Sequence, residues 1–535
     1  MSEFLPVKEL NTGSIDAINY TTRQDKEFFN RIFLKDHFLE KLLEQKRYFL
    51  VGEKGTGKTA YAAFLTNNEY KNTRARISGV TSTDYVKFIN LKKLGHMNIS
   101  GYTDVWKVIL LMIIAEHIND SQPKGMLQFG KFRNIRAAID QYYNSAFTPE
   151  IVNAIEFVEH AEVSADIIAK IAKVGGKNSE NTTEKGSGFQ TSLLFIEKSF
   201  REAIESIKLD NNQIIFIDGI DIRPRSVEFD TYIECIRDLA MATWSLNSEF
   251  LSNIRDSKGR IKIVVLLRPD IFNMINFHNA NGKLRDNSVV LDWQTEYRNY
   301  RTSRIFQLID RTLSKQSGQP KDLDIGTAWD HYFPHTLANM RIAEQNDNPF
   351  IGFLRASFYR PRDIISYLDI MKSYVTQHED SALTFSDDHY VKCQSDYSEY
   401  LLAEVKDHLA FYYSEADFEE LIGFFKFLKG NMRFDWKGFV SAYKRSRESN
   451  KHRALTIKEL TDGPEAFLQF LYSLNVIGYN EKTDDKLANF VHWSFRDRTP
   501  TILNPKIPPG LGGAGDRPYT VHPGLARALK VGQSR

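Results

Sequence analysis

The octet GEKGTGKT, Gly52–Thr59, carries the residue types and spacing of a phosphate cradle, G-x-x-x-x-G-K-[ST]. Gly52, Gly55 and Gly57 permit a loop whose backbone N–H groups all turn inward onto phosphate oxygens, with Glu53, Lys54 and Thr56 between them. Lys58 supplies a point charge for the β- and γ-phosphates of a nucleotide, and the Thr59 hydroxyl is a ligand for Mg²⁺. The flanks agree, because YFLV before the loop reads as a buried strand and TAYAAFL after it as a helix. The positive end of such a helix adds to anion binding.

A second stretch, NNQIIFIDGIDIRP at 211–224, runs four apolar residues, Ile214 to Ile217, straight into Asp218. A carboxylate at the end of a strand can hold Mg²⁺ through water beside Thr59, although a turn-capping role uses the same residue type. Where a water-activating glutamate often follows such an aspartate, this chain has Gly219. The hydrolytic base then falls to Asp221, three residues on and beyond a glycine that lets the chain turn, with Glu53 the weaker alternative.

Elements must exist to bring these residues together. Continuous apolar runs at 214–217 and in IKIVVLL, 261–267, are of the kind buried in parallel sheets, and YVKFINL, 85–91, is a further strand candidate. An apolar helix is expected from about Asp104 to Ile118, and a helical segment over 28–45. Strands alternating with helices predict an α/β fold, an open and mostly parallel sheet with helices on both faces. The expected division is a lead-in at 1–45, the phosphate-binding core at 46–304 with an insertion near 121–190, a helical lid at 305–400 and a C-terminal domain at 401–535. The polar, glycine-rich 174–188 reads as a loop. In the last domain VIGYNE (476–481) and NFVHWSFR (489–496) follow a helical segment, the order of a helix and a β-hairpin wing, so the domain is read as winged-helix-like.

Composition narrows the function classes. The 535 residues are 42% apolar and 26% charged with a net charge of +2, as in a globular protein whose basic surfaces are local. Cys235 and Cys393 have no CxxC spacing, and His452, His492 and His522 lack metal-ligand spacing. The longest apolar run, Val108–Ala115, is too short to span a bilayer, and MSEFLPVKEL is not patterned as a signal peptide. A cytoplasmic protein without a membrane partner is expected.

IIFIDGID resembles the second nucleotide motif of the STAND class of P-loop ATPases, NACHT-type proteins included, where an Asp-Gly-x-Asp stretch commonly followed by Glu ends the strand. The resemblance implies ATP as the nucleotide, Mg²⁺ at Asp218 and a hydrolytic role for Asp221. Ile222, standing where Glu is common, implies slow turnover. VVLLRPDIF (264–272) resembles the family's sensor strand, which implies that Arg268 reads the γ-phosphate. YRPRDII (359–365) resembles the sensor-two region of AAA+ and origin-recognition ATPases, which implies the same for Arg362, with Arg360 second. The resemblance spans about residues 20–400. It implies an ATP-driven switch in bacterial defence against phage or in stress signalling. No nuclease, protease or TIR-type motif is evident, so a separate effector protein is expected, and an arginine supplied by a neighbouring subunit would make the chain assemble on ATP.

Two rival readings stay open. The basic run Lys444, Arg445, Arg447, Lys451 and Arg453, within 444–453 and beside the expected wing, could contact DNA phosphates in a loading or remodelling AAA+ machine, or could be a solvated loop. A scaffold that binds nucleotide without hydrolysing it is the other. A nucleoside kinase fits less well, since no acceptor motif is evident. Arg298, Arg301 and Arg304 offer either an arginine finger for a neighbouring subunit or a solvated helix face.

Overall fold

A computed structural model of the chain describes residues 4–80, 102–121, 194, 197–198, 200–205, 207–275, 286–316, 323–335, 348–449, 458–482, 489–499, 502, 504–512 and 516–532. The strand expected at 85–91, the expected insertion from 122 to 190 with its loop at 174–188, and Lys451, His452 and Arg453 lie outside the described residues. The chain forms two compact units, one of Lys35–Glu53 with Lys58–Leu291, the other of Met1–Leu34, Lys54–Gly57 and Asp292–Arg535.

The first unit is α/β. Its sheet contains β1 (Phe49–Val51), β2 (Thr73–Gly79), β3 (Asn212–Asp218), β4 (Ile261–Leu267) and β5 (Ser288–Val290) in the order β2-β3-β4-β1-β5, every pair parallel. All seven residues of β4 are buried, which is why its sequence is an unbroken run of apolar side chains around one lysine. That lysine, Lys262, donates from Nζ to the carbonyls of Leu42 and Glu44 (2.8 Å to Glu44), and burial pushes its pKa down to about 7. Helices Lys58–Asn67, Tyr102–Ser121 and Phe229–Ser245 belong to this unit. The last two are tied by Trp106 Nε1 donating to the Cys235 carbonyl at 3.1 Å.

The chain leaves β1 toward β2 and leaves β4 toward β5, in opposite directions along the sheet. With right-handed crossovers, such a reversal is the arrangement that puts the following helices on opposite faces and favours a ligand crevice at the carboxyl ends of the two strands, here β1 and β4. The glycine-rich loop that starts at Gly52 begins there, with Gly52 N donating to the Leu267 carbonyl at 3.0 Å.

Helices dominate the second unit, which also carries an antiparallel sheet of β6 (Arg433–Phe434), β7 (Ile477–Lys482), β8 (Asn489–His492) and β9 (Tyr519–Val521) in the order β6-β9-β7-β8. The two strands expected in the C-terminal region are the β7–β8 hairpin. One apolar core runs from Val7 to Val531 and includes Trp329, Phe353, Tyr367, Phe439 and Phe467, so 305–400 and 401–535 bury side chains together. The single helical stretch expected over 28–45 is two helices, Lys26–Ile32 and His37–Leu43. Asp36 starts the second by accepting from Phe38 N at 3.0 Å and Leu39 N at 3.2 Å. Among the described residues no helix is long and apolar enough to cross a membrane.

Candidate phosphate and metal site

In the first unit the loop hands over to the Lys58–Asn67 helix at Lys58. The Lys58 ammonium folds back onto its own loop, donating to the Gly52 carbonyl at 2.8 Å and the Glu53 carbonyl at 3.1 Å. Thr59 Oγ1 donates to Asp218 Oδ2 at 2.8 Å, across 159 positions of sequence. Asp218 Oδ1 accepts from Gly219 N at 2.8 Å. Burial raises the Asp218 pKa above the ordinary carboxylate value; the Thr59 and Gly219 hydrogen bonds and the nearby Lys58 oppose the rise, while Asp221 adds to it. A hydroxyl and a desolvated carboxylate side by side form a hard-oxygen pair whose charge is incompletely compensated. Mg²⁺ binds through one or two such groups, keeping waters and substrate phosphates as its other ligands, so the pair fits that ion. Among the described residues no group of three or more His, Cys, Asp or Glu could hold a metal by itself.

Gly219 has a steric reason. Its φ of 89° is left-handed, and a Cβ there would stand 2.4 Å from the Val80 carbonyl oxygen. Val80 N in turn donates to the Asp218 carbonyl at 2.8 Å, closing the end of the β2–β3 ladder. A glutamate at this position has no room. Beyond it, buried Ile220 anchors the turn through its carbonyl, which accepts from the Tyr232 hydroxyl at 2.6 Å. Asp221 follows half-buried, with no hydrogen bond or ion pair among the described residues, and Ile222 is exposed. Arg268 at the end of β4 is 2% exposed and bound by Asp270, with Nε to Oδ1 at 3.1 Å. β4 lies between the strand that feeds the loop and the strand that ends in Asp218. A cavity of about 580 Å³ in this unit, lined by Asn68, Arg74, Arg76 and His117 among others, lies at the opposite end of β2 from this chemistry.

The tip of the loop, Lys54–Gly57, belongs to the second unit. Gly55 (φ 87°) and Gly57 (φ 93°) are left-handed, and the Thr56 carbonyl accepts from Trp293 Nε1 at 2.9 Å. Arg362 N, in the first turn of the Pro361–His378 helix, donates to the Gly55 carbonyl at 3.4 Å, and a Cβ on Gly55 would meet the Arg362 Cβ at 3.1 Å. Just before this helix Tyr359 sits at φ 56°, a left-handed conformation uncommon for an aromatic residue. Arg360 is buried with Asp363, its Nη2 2.6 Å from Oδ1, while Nη1 donates to the Lys54 carbonyl at 2.9 Å. Burial works against the Arg360 charge, yet Asp363 and Glu404 hold its pKa above the ordinary arginine value. Asp363 therefore serves Arg360, and Arg362 instead donates from Nε to the Ile15 carbonyl at 3.1 Å and pairs with Glu404 at 3.6 Å.

Arg301 forks onto Asp330, at 2.6 and 3.1 Å, Arg304 donates to the Asp292 carbonyl and lies over Trp293, and Arg298 is exposed. Residues 297–302 form a 3₁₀ segment, with Arg304 opening the next α-helix. Lys444, Arg445 and Arg447 lie on the Trp436–Ser449 helix. Of these Lys444 is exposed, and Arg445 donates to the Phe427 carbonyl at 3.1 Å. His492 sits between Asp497 (2.9 Å) and Glu481 (2.8 Å), whereas His522 is buried. Sequence reasoning had no access to Trp293 or Glu404, because each reaches the loop through a contact far along the chain, and no motif marks Tyr232, which anchors the turn at Ile220. A scan of protein-family models finds no match for the chain, and a search of curated proteins finds none either.

Proposed function

We propose that the protein binds ATP with Mg²⁺ and works as a slowly hydrolysing molecular switch of the STAND/AAA+ kind. The observation that carries this reading is the 2.8 Å hydrogen bond between Thr59 and Asp218, the residue after the loop lysine meeting a strand-end carboxylate. On this reading the backbone N–H groups of Gly52–Thr59 cradle the phosphates, and Lys58 leaves its loop carbonyls for phosphate oxygens. Thr59 and Asp218 are the residues that would hold Mg²⁺, which would supply neutralising positive charge to the phosphates. Asp221, with its carboxylate uncommitted, accepts the proton of the attacking water. Arg268 exchanges Asp270 for the γ-phosphate, and the motif resemblance gives Arg362 the same task. We read 401–535 as winged-helix-like from the order of helix Glu415–Phe424, β6, helices Trp436–Ser449 and Pro464–Ser473, then the β7–β8 hairpin.

A regulatory role follows from the motif resemblance alone. DNA is the less supported partner. The Pro464–Ser473 helix contains no Lys or Arg. Its Gln469 is also engaged from outside, Nε2 donating to the Pro505 carbonyl at 3.1 Å and Oε1 accepting from Ile507 N at 3.1 Å, with Ile507 buried. The test of the main reading is calorimetric titration of ATP with Mg²⁺ into the parent chain and Lys58→Ala. Loss of binding in a variant that keeps the parent melting temperature is expected; equal affinity would refute it.

A further inference from the structure

Glu404 is a buried acid to which the nucleotide reading assigns no contact with the nucleotide. It lies on the Asp387–Leu409 helix, three residues before Asp407 and on the same face. Three cations surround it in the second unit: Lys54 Nζ at 3.5 Å, Arg362 Nη1 at 3.6 Å and Arg360 Nη2 at 3.9 Å. Its side chain is 10% exposed, and Oε2 makes no hydrogen bond. Every pairing is thus loose, although a buried carboxylate ordinarily has its oxygens satisfied.

The three cations are not equivalent. Arg360 is spent on Asp363, with three contacts of 3.0 Å or less, and on the Lys54 carbonyl, so it fixes the shape of the loop tip and has no fork left for a ligand. Lys54 and Arg362 differ. Lys54 shares its charge between Glu404 and the largely exposed Asp407 (2.7 Å), and Arg362 touches Glu404 only at 3.6 Å. Both side chains spring from the loop tip or abut it, Lys54 as part of the loop and Arg362 against Gly55. Glu404 is the acid they have in common.

We infer that Glu404 is a specificity-determining residue of the phosphate loop: its carboxylate competes with a terminal phosphate for Lys54 and Arg362, and so sets how strongly ATP is preferred to ADP. The inference rests on the nucleotide reading above. A γ-phosphate presents anionic oxygens that bind guanidinium more strongly than a loosely placed carboxylate does. Glu404 weakens ATP by holding these cations and by repelling the phosphate. ADP lacks the group in competition and is affected less.

The experiment compares ATP and ADP affinities, by calorimetry with Mg²⁺, for the parent, Glu404→Gln, Asp407→Asn, Arg362→Ala and the Glu404→Gln/Arg362→Ala double variant. Glu404→Gln keeps the side-chain shape and removes the charge. It should tighten ATP on the order of tenfold and ADP by less than about twofold. Asp407→Asn, mostly solvated, should move either by less than about twofold. In the Arg362→Ala background most of the gain from Glu404→Gln should vanish, a coupling that a merely structural Glu404 would not show. ATP binding by the parent with no gain in Glu404→Gln, or a gain that survives intact without Arg362, overturns this inference alone. Absence of ATP binding in parent and variants overturns the nucleotide reading and this inference together.

Discussion

Gly219→Ala is the substitution for which the structure specifies the damage most closely. Alanine at φ 89° is in the left-handed region, which costs an L-residue about 1–2 kcal/mol. Its Cβ would stand 2.4 Å from the Val80 carbonyl oxygen, and that neighbour is backbone, so the strand end must move rather than a side chain rotate. Movement by the necessary half ångström or more breaks the 2.8 Å Val80 N to Asp218 carbonyl bond, worth a further net loss of about 0.5–1.5 kcal/mol. With residual strain the total is about 2–4 kcal/mol, or a fall of roughly 5–15 °C in the melting temperature of a unit this size. The control is Gly430→Ala, where φ is 79° but nothing lies within 4 Å of the added Cβ, so only the conformational cost of about 1–2 kcal/mol applies. Differential scanning calorimetry of parent and both variants measures the difference. The shifted Asp218 should also lose Mg²⁺-dependent ATP affinity in Gly219→Ala and keep it in Gly430→Ala. Gly219→Ala melting with the parent, or no lower than Gly430→Ala, would show that the Val80 contact does not constrain this turn.

Two further expectations separate binding from turnover and locate a pH response. Asp221→Asn should bind ATP like the parent and hydrolyse it about a hundredfold or more slowly, while Asp218→Asn should lose the Mg²⁺-dependent part of binding; parent-rate hydrolysis by Asp221→Asn would transfer the base to Glu53. His522 is buried against Phe358 and Trp493, with ring centroids at 4.8 and 4.7 Å, and accepts from Gly524 N at 3.2 Å. Burial lowers its pKa from 6.5 to about 3. Because the folded value is depressed, its contribution is fully present above about pH 6.5 and is lost as the pH falls toward about 3, by about 1.4 kcal/mol per unit. In denaturant titrations from pH 7 to pH 4, His522→Asn should show a shallower loss of stability than the parent, and an unchanged slope would rule the residue out.

What the sequence determined by itself was local. The octet at 52–59 is legible because eight consecutive residues carry glycines, lysine and threonine in fixed order, and backbone conformation there depends little on distant parts of the chain. β3 and β4 are legible because a strand buried on both faces must be apolar throughout. β2 was not, since TRARISG sits at a sheet edge, where Arg74 is exposed and Arg76 to Ser78 are only half-buried, and β5 is only three residues long. Which strands adjoin is a property of the closed sheet: Asp218 meets Thr59 at the end of a strand that is not even a neighbour of β1, because β4 comes between. The motif RPRD could not say which arginine pairs with Asp363. Packing decided it, burying Arg360 with that acid and leaving Arg362 to the Ile15 carbonyl and Glu404. Gly219 shows both halves. The sequence presents a glycine where a glutamate is common, and only the approach of Val80, just past the end of the neighbouring strand β2, supplies the reason that no side chain fits there.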